Sequence, residues 1–401
     1  MAERQVVFVD GVRTAFGRMG GSLRSFASSD LGALAVRGLL KKTGIMERGK
    51  VDCLFSGSAL HDSQSYSPSR FIALAAGLPQ ETSTSYIEMQ CGSAIDAINH
   101  AAWKIKAGCA DVVIAGGQES YSQMYAKFSM AVTPYTLTPP SSITQRYSPI
   151  KEDNISMIEI SDKMAKRWDI SRESCDEYAL RSQQLAYAAT QKGYFTEEIV
   201  PVEVPQGRKL PPVTFDADEH LRPDTTLEGL SKLKPVFGEG CVTTAGNASG
   251  RNDGAAFILM MSEEKAREMG YTPYARWVSG GDVGVDPQYM GIGPAYANLL
   301  ALKRAGLTLD DVDVFECNEA FAAQNLSVIK EMESLTGLKI DMGRWNPNGG
   351  AIAFGHPNGA SGGRICLATL KELERRSGKY GLFSSCCGGG TGVATLVENL
   401  R

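Results

Sequence analysis

Short apolar runs alternate with longer amphipathic stretches over the first 120 residues of the chain. Residues 6–9, 53–55 and 112–115 are apolar runs typical of strands, and 30–42 is typical of a helix. In 93–106, apolar residues recur at intervals of three and four, which predicts a helix with one buried stripe. Such alternation indicates a layered α/β domain.

A similar series recurs late in the chain. Residues 51–55 (Val-Asp-Cys-Leu-Phe) resemble 312–316 (Val-Asp-Val-Phe-Glu), and the apolar run 109–117, which ends in glycines, has a counterpart in 381–390. We interpret these matches as an internal duplication of two similar α/β halves.

The segment between the halves, roughly 120–249, has a different pattern of residues. A helix is predicted from Ser171, a suitable N-cap, to about residue 192, and a proline-rich run follows over 201–235. This pattern predicts an inserted loop subdomain that covers part of the molecule.

Composition narrows the functional class. The chain has 41 Lys+Arg and 45 Asp+Glu, a formal charge of −4, which excludes the basic footprint of a nucleic-acid-binding protein. Nine irregularly spaced cysteines are typical of reduced thiols and favour a cytoplasmic location. No apolar run is long enough to cross a membrane. The apolar run near the start of the chain is too short for the hydrophobic region of a signal peptide.

Cys91 is the first candidate for chemistry. It lies between a strand-like run at 84–88 and the helix predicted at 93–106. A cysteine at such a turn faces the helix N-terminus, whose dipole would lower its pKa and make it a better nucleophile. The alternative is that Cys91 is a small buried apolar residue.

His356 is the second candidate. It lies in the glycine-rich segment 355–363, which predicts a rigid, exposed loop on which an imidazole could be mounted. The other histidines, at positions 61, 100 and 220, have no such setting and are expected to be surface or packed residues.

Two further segments carry polar or backbone groups suited to a site. Successive glycines after Cys386 and Cys387 allow backbone N–H groups to form an oxyanion-binding nest. Asn318, after the strand predicted at 312–316, could orient a water or an imidazole, or could cap a helix. Adjacent cysteines without a matching histidine pair predict no zinc site, and no other metal is expected.

Taken in order, these segments resemble those of the thiolase family of acyl-CoA transferases, over nearly the whole chain. The segments that carry the resemblance are 13–17, Cys91 with its neighbours, 116–120, 244–250, 318–323, His356 and Cys386. The resemblance implies a duplicated thiolase-type five-layered α/β/α/β/α core with an inserted loop domain, usually assembled as a homodimer or homotetramer. We expect residues 1–119 with 250–272 to form the first half, 120–249 the loop domain, and 273–401 the second half.

The resemblance also implies roles for residues. Cys91 is similar to the acyl-accepting nucleophile, His356 to its activating base, and Cys386 to the second catalytic cysteine. Asn318 would hold a water that, with His356, forms one oxyanion site, and the backbone N–H groups of Cys91 and Gly388 would form another. For the ligands, Arg222 and Ser249 resemble contacts to coenzyme A, while Met157 and Met290 are expected at the substrate pocket.

Several positions depart from the family pattern. Ala94 stands where a glycine is usual, and Cys387 where an apolar residue is usual. In the segment expected to line the acyl pocket, Ser156 and Ile158 replace a histidine and a glycine. The length of the acyl chain is therefore left open by the sequence.

The predicted function is reversible, CoA-dependent thiolytic cleavage of 3-oxoacyl-CoA through an acyl-cysteine, or the reverse Claisen condensation. Coenzyme A is a co-substrate, and no bound cofactor is expected. The alternatives are a short-chain biosynthetic acetyl-CoA C-acetyltransferase, a noncatalytic CoA- or lipid-binding relative, a ketoacyl synthase and a cysteine hydrolase. Cys386 argues against the synthase, and only Cys91 and His356 support the hydrolase.

Overall fold

The computed structural model of the protein describes residues 4–129, 141–144, 146–207 and 210–401. The strands are β1 (Val6–Thr14), β2 (Gly17–Arg18), β3 (Cys53–Gly57), β4 (Ser83–Ile87), β5 (Val112–Ser120), β6 (Phe128–Ser129), β7 (Ser141–Ser142), β8 (Ile199–Val200), β9 (Val202–Val204), β10 (Val213–Phe215), β11 (Asn252–Ser262), β12 (Ala275–Gly284), β13 (Val314–Cys317), β14 (Tyr380–Cys387) and β15 (Thr391–Asn399).

The helices are α1 (Ser28–Thr43), α2 (Ile45–Arg48), α3 (Pro68–Ala76), α4 (Ser93–Lys106), α5 (Met157–Arg167), α6 (Arg172–Gln191), α7 (Leu227–Ser231), α8 (Glu263–Glu268), α9 (Gly293–Ala305), α10 (Ala322–Thr336), α11 (Ala351–Phe354) and α12 (Asn358–Arg376). Short 3₁₀ turns occur at Gln90–Gly92, Lys151–Asp153, Pro287–Ile292 and Leu309–Asp311.

One long sheet has the strand order β13-β14-β15-β12-β1-β11-β5-β3-β4. We call β4, β3, β5, β11 and β1 the first half-sheet, and β12, β15, β14 and β13 the second. Each half contains a parallel pair, β3 with β5 or β13 with β14. Two antiparallel strands follow in order, β11 and β1 after β5, and β15 and β12 after β14. The matched strand order supports the duplication inferred from the sequence. The two half-sheets meet through a short antiparallel contact between β1 and β12.

The helices and half-sheets form five layers. Helices α1 and α3 cover the outer face of the first half-sheet, and α9 and α10 lie beyond the second. Between the half-sheets lie α4 and α12, whose apolar side chains pack against both. This arrangement confirms the predicted α/β/α/β/α core.

Local patterns predicted several elements closely. Helix α4 has the predicted bounds, and α6 begins after Ser171, whose side chain accepts a hydrogen bond from the Ser174 N–H. One prediction was wrong: the glycine-rich segment 355–363 is mostly the first turns of α12 and not a loop. Its glycines permit close contact, because a Cβ at Gly359 would lie 2.4 Å from the Ser58 Cα.

The segment 120–249 contains α5, α6, α7 and short strands, and its residues 130–140, 145 and 208–209 lie outside the described part of the chain. It is tied to β1 by Arg13, whose buried guanidinium bonds Glu198 Oε1 at 2.7 Å and Asp218 Oδ1 at 2.7 Å. Two carboxylates thus compensate the buried charge. In the described part of the chain, no helix is long and apolar enough to cross a membrane.

Candidate active site

Cys91 lies on a tight elbow between β4 and α4. The preceding residue, Gln90, adopts φ 49°, a left-handed conformation that non-glycine residues rarely use. The side chain of Ser93 holds the elbow, because its Oγ accepts from the Met89 N–H at 3.0 Å and donates to the Gln90 carbonyl at 2.7 Å. The elbow thus fixes the direction in which Cys91 points.

The pKa of the Cys91 thiol lies well above its ordinary value. Burial raises the pKa most, and the nearby Cys386 and Glu119 raise it further. The expectation that the N-terminus of α4 lowers this pKa is therefore wrong, because loss of solvation outweighs the helix dipole. The resting side chain is therefore a thiol, which could act as a nucleophile only with a base to remove its proton.

His356 is held at the start of α12 by backbone contacts. It pairs with Arg251 in an isolated β-bridge, and its N–H donates to Asn252 Oδ1 at 3.1 Å and the Gly250 carbonyl at 3.2 Å. Only 5% of the residue is exposed, so the expected exposed loop is wrong. Burial arises because α12 fits closely against the first half of the molecule.

Both ring nitrogens of His356 have protein partners. Nδ1 lies 2.7 Å from Ser361 Oγ, which donates to the Pro357 carbonyl at 3.2 Å, and Nε2 lies 3.3 Å from Asn318 Nδ2. Because the amide nitrogen of Asn318 can only donate, Nε2 accepts from it and the neutral ring carries its proton on Nδ1, facing Ser361. Burial, aided by Arg364, lowers the pKa of His356 to about 3, so the imidazole is neutral and Nε2 carries no proton.

Asn318 directly follows β13 and contacts the imidazole, not a helix terminus. Its Oδ1 is buried and has no hydrogen-bond partner within the described residues. Helix α10 begins later, at Ala322, after Phe321 as its N-cap. Of the roles left open for Asn318, an imidazole partner fits the structure and a helix cap does not.

The loop between β14 and β15 supplies backbone groups to the site. Gly389 and Gly390 adopt φ values of 92° and 93°, which other residues rarely adopt. Gly388 lies just before them on the wall of the cavity that contains Cys91. The loop therefore has the backbone freedom needed for N–H groups to face a ligand.

Cys386 and Cys387 are both fully buried, but they belong to different apolar clusters. Cys386 belongs to the cluster that includes Met290, whereas Cys387 packs in the middle layer, where a Cβ at Gly92 would lie 2.4 Å from its Sγ. Burial raises the pKa of both thiols. Both sulfurs are close enough to interact electrostatically with Cys91.

A cavity of about 250 Å³ brings many of the predicted residues together. Its wall includes Cys91, His356, Gly388, Ser249, Met157 and Met290, together with Ile158. Ser156 lies outside this lining as the N-cap of α5, where it accepts from the Glu159 N–H at 3.2 Å. Arg222 does not line this cavity; it borders another, of about 240 Å³, with His220.

The sequence prediction missed three other side chains of this cavity, namely Tyr121, Tyr147 and Arg251, whereas Phe321 belongs to the predicted segment 318–323. Arg251 and Tyr121 directly follow the segments 244–250 and 116–120, so both motifs could have been extended by one residue. Tyr147 lies on the loop domain, and nothing in its local sequence distinguishes it.

Glu119 joins the two halves beside the cavity. Its carboxylate accepts backbone N–H bonds from Ala59 at 2.8 Å, Leu60 at 3.3 Å and Gly359 at 3.0 Å. Burial raises its pKa to about 8, while these bonds oppose the shift. The Glu119 side chain therefore helps to position the start of α12 and, with it, His356.

Neither a disulfide nor a metal cluster is found in the described part of the chain. All nine cysteines are free thiols. No three His, Cys, Asp or Glu side chains among the described residues are placed to hold a metal ion.

The family models described as "Thiolase, N-terminal domain" and "Thiolase, C-terminal domain" match residues 6–264 and 271–399. The chain belongs to the thiolase family. This thiolase is 42% identical to an acetyl-CoA acetyltransferase of Thiocystis violacea, over 98% of this chain and 99% of the relative. It is 43% identical to the 3-oxoadipyl-CoA/3-oxo-5,6-dehydrosuberyl-CoA thiolase of Escherichia coli, over 99% and 100% of the two chains.

Solved structures agree with this assignment. The thiolase superimposes on the acetyl-CoA acetyltransferase of Bacillus anthracis with a TM-score of 0.92 and 39% identity, over 100% of both chains. A human mitochondrial 3-ketoacyl-CoA thiolase in complex with CoA gives a TM-score of 0.89 and 39% identity, over 99% of this chain and 98% of that one. The predicted family, fold and acyltransferase class are confirmed. The enzyme catalyses thiolytic cleavage and condensation of acyl-CoAs, with CoA as co-substrate.

Proposed function

We propose that this thiolase cleaves 3-oxoacyl-CoA through an acyl group carried on Cys91, with His356 as the base. The observation that carries the proposal is that both residues line one cavity and that the imidazole Nε2 is unprotonated. A protonated thiol and a neutral imidazole in one cavity are a resting pair from which a thiolate nucleophile can be generated when substrate binds.

In the first half-reaction, His356 Nε2 takes the Cys91 proton as the sulfur attacks C3 of the substrate. The oxygen on C3 becomes an oxyanion, which the backbone N–H groups of Cys91 and Gly388 stabilise. As the C2–C3 bond breaks, the electron pair passes to the thioester enolate. The His356 Nε2–H and a water held by Asn318 bind the enolate oxygen, and the Cys386 thiol protonates C2 to release acetyl-CoA.

In the second half-reaction, the Cys386 thiolate removes the proton from incoming CoA. The CoA sulfur attacks the acyl-Cys91 thioester, and the new acyl-CoA leaves. The Cys91 sulfur regains its proton from His356, so both cysteines return to thiols. Run in reverse, the same proton transfers perform a Claisen condensation.

For ligand binding, we infer that CoA extends from the catalytic cavity towards the one bordered by Arg222. Ser249 borders the catalytic cavity, and the exposed guanidinium of Arg222 can bind an anionic group of CoA. Met157, Ile158 and Met290 supply apolar surface for the acyl chain. The names of the relatives include both acetyl-CoA acetyltransferase and 3-oxoadipyl-CoA thiolase, so plain and carboxylate-terminated chains are both candidates.

We also propose the division into residues 1–119 with 250–272, 120–249, and 273–401, which the two similar half-sheets support. A homodimer or homotetramer is supported by β4, which ends the sheet and pairs on only one side within the described residues. The cytoplasmic location expected from the cysteines stays a prediction.

The proposal is tested by trapping the intermediate. The protein incubated with acetyl-CoA should gain one acetyl group at Cys91, detected by peptide mass spectrometry, and should lose it when CoA is added. Cys386→Ser should still be acetylated but lose about 10³-fold in Claisen condensation, because the alcohol is a far weaker acid than the thiol and does not ionise to serve as the base.

The exposed residue Cys109 offers a control, and Cys109→Ser should behave as the wild type. Acetylation at another residue, or loss of the acyl group to water without CoA, would contradict the assigned roles.

A further inference from the structure

Arg251 is the only permanently charged side chain among the described residues that line the catalytic cavity. Its guanidinium carbon lies 5.7 Å from the centroid of the Tyr121 ring, and no carboxylate in the described part of the chain forms an ion pair with it. Arg13 shows the contrast, because its buried guanidinium is fully occupied by Glu198 and Asp218. Arg251 is exposed, so its N–H donors are free to bind a ligand.

The backbone fixes Arg251 close to the reacting atoms. It is paired with His356 in a β-bridge and follows Ser249 and Gly250 along the cavity wall. Tyr121 and Tyr147 border the same cavity. Burial raises the pKa of both phenols and Arg251 acts in the opposite direction on both, so the cation is near each hydroxyl.

An unpaired guanidinium flanked by phenols is suited to a carboxylate or a phosphate. In a CoA thioester the phosphates are separated from the sulfur by the whole pantetheine arm. When the thioester is at Cys91, an anion near His356 must therefore belong to the acyl chain, and the phosphates lie farther away, towards Arg222.

We propose that Arg251 selects 3-oxoacyl-CoA substrates whose acyl chain ends in a carboxylate, by binding that carboxylate inside the catalytic cavity. The inference rests on the proposed function, since it assumes that the thioester is held at Cys91. A bidentate contact fixes the far end of the chain, while Met157 and Ile158 pack against its methylenes. A neutral chain of equal length lacks this contact and leaves the guanidinium without a partner.

The test compares two substrates with equal carbon number, 3-oxohexanoyl-CoA and 3-oxoadipyl-CoA, of which only the second ends in a carboxylate. The wild type should prefer the carboxylate chain by about tenfold or more in kcat/KM for CoA-dependent thiolysis. Arg251→Gln should lower this preference by about 10- to 100-fold, which is the fold-change expected when hydrogen bonds to a charged group are lost. Arg251→Lys, which keeps the charge but not the planar fork, should retain part of it.

Arg267→Gln is the matched control, because Arg267 is an exposed arginine on α8, and it should keep the wild-type preference. A preference that Arg251→Gln leaves unchanged would overturn the proposal. A raised KM for CoA with both acyl chains would also overturn it, because it assigns the guanidinium to the CoA phosphates. If the wild type cleaved neither substrate in a CoA-dependent way, the proposed function itself would fail, whereas cleavage of both without preference would remove only the role of Arg251.

Discussion

Helices α4 and α12 are equivalent in the duplicated fold, yet the molecule uses their N-termini in opposite ways. Each precedes the strand that lies inside its own half-sheet, β5 or β14, and the two helices pack side by side in the middle layer. Cys91 lies before the first helix, and His356 lies before the second. Duplication therefore brings two equivalent helix N-termini to one cavity. The side chains next to them, Cys91 and His356, give the two termini different chemistry.

A helix N-terminus carries a partial positive charge, which favours an anion and disfavours a cation. At α4 the dipole favours the Cys91 thiolate of the proposed mechanism, although burial keeps the resting thiol protonated. At α12 burial and the charge of Arg364 lower the pKa of His356 to about 3, and a helix N-terminus also disfavours an imidazolium. The comparison teaches that one scaffold can hold an acid and a base in their unreacted forms until a substrate arrives.

The largest effect is expected from removal of the sulfur at α4. Cys91→Ser should lower thiolysis by about 10⁴-fold or more, because a neutral imidazole is too weak a base to activate an alcohol in place of a thiol. Steady-state rates with 3-oxoacyl-CoA and CoA measure the loss, and circular dichroism checks the fold. A variant that kept the wild-type rate would show that the nucleophile lies elsewhere.

The titration of His356 should appear as a pH dependence of stability. An unfolded chain protonates this histidine below about pH 6.5, whereas the folded protein does so only near pH 3. Acid therefore favours the unfolded state, and the native stability tied to this residue is lost as pH falls below 6.5. Between pH 7 and pH 5, His356→Asn should lose less stability than the wild type, by on the order of 2 kcal/mol.

Urea unfolding at the two pH values measures this difference. His61→Asn is the control, because His61 is exposed and its loss should leave the wild-type slope. Equal slopes for the wild type and His356→Asn would mean that His356 is not held neutral by its surroundings.

The smallest effect is expected from Ser361, a positioning residue for the imidazole. Ser361→Ala removes the acceptor of the Nδ1 proton, and we expect kcat to fall about fivefold with little change in KM, as for one hydrogen bond of about 1 kcal/mol. Ser361→Thr, which keeps the hydroxyl, should recover most of kcat. Ser327→Ala is a matched control in α10, where the hydroxyl bonds the Ala323 carbonyl. Equal losses of kcat in both alanine variants would indicate a general packing effect.

Features determined by neighbouring residues could be predicted from the sequence. The apolar stripe of α4 determined its bounds, and Ser171 marked the start of α6, because both signals lie within one helix. The surroundings of His356 could not be predicted, since they depend on Gly359 fitting against Ser58 and on Asn318 arriving from β13. The helix dipole alone also gave the wrong direction for the Cys91 pKa, because burial is set by the whole fold.

Arg251 was missed for a related reason. The charge of Arg251 can be read from the sequence, but its proposed role in ligand binding depends on Tyr121, Tyr147 and the cavity that they share. No periodic pattern connects these residues. A charged position that lines a mostly uncharged cavity is recognised only when the walls are assembled.

The order of strands in the first half-sheet constrains when that half-sheet can form during translation. Strand β11 lies between β1 and β5, although residues 121–251 separate it from β5 along the chain. A nascent polypeptide leaving the ribosome therefore cannot complete its first half-sheet until residue 262 has been translated and has emerged. Until then β1 and β5 have no native partner between them, and unpaired strand edges of this kind make partly folded chains prone to aggregation.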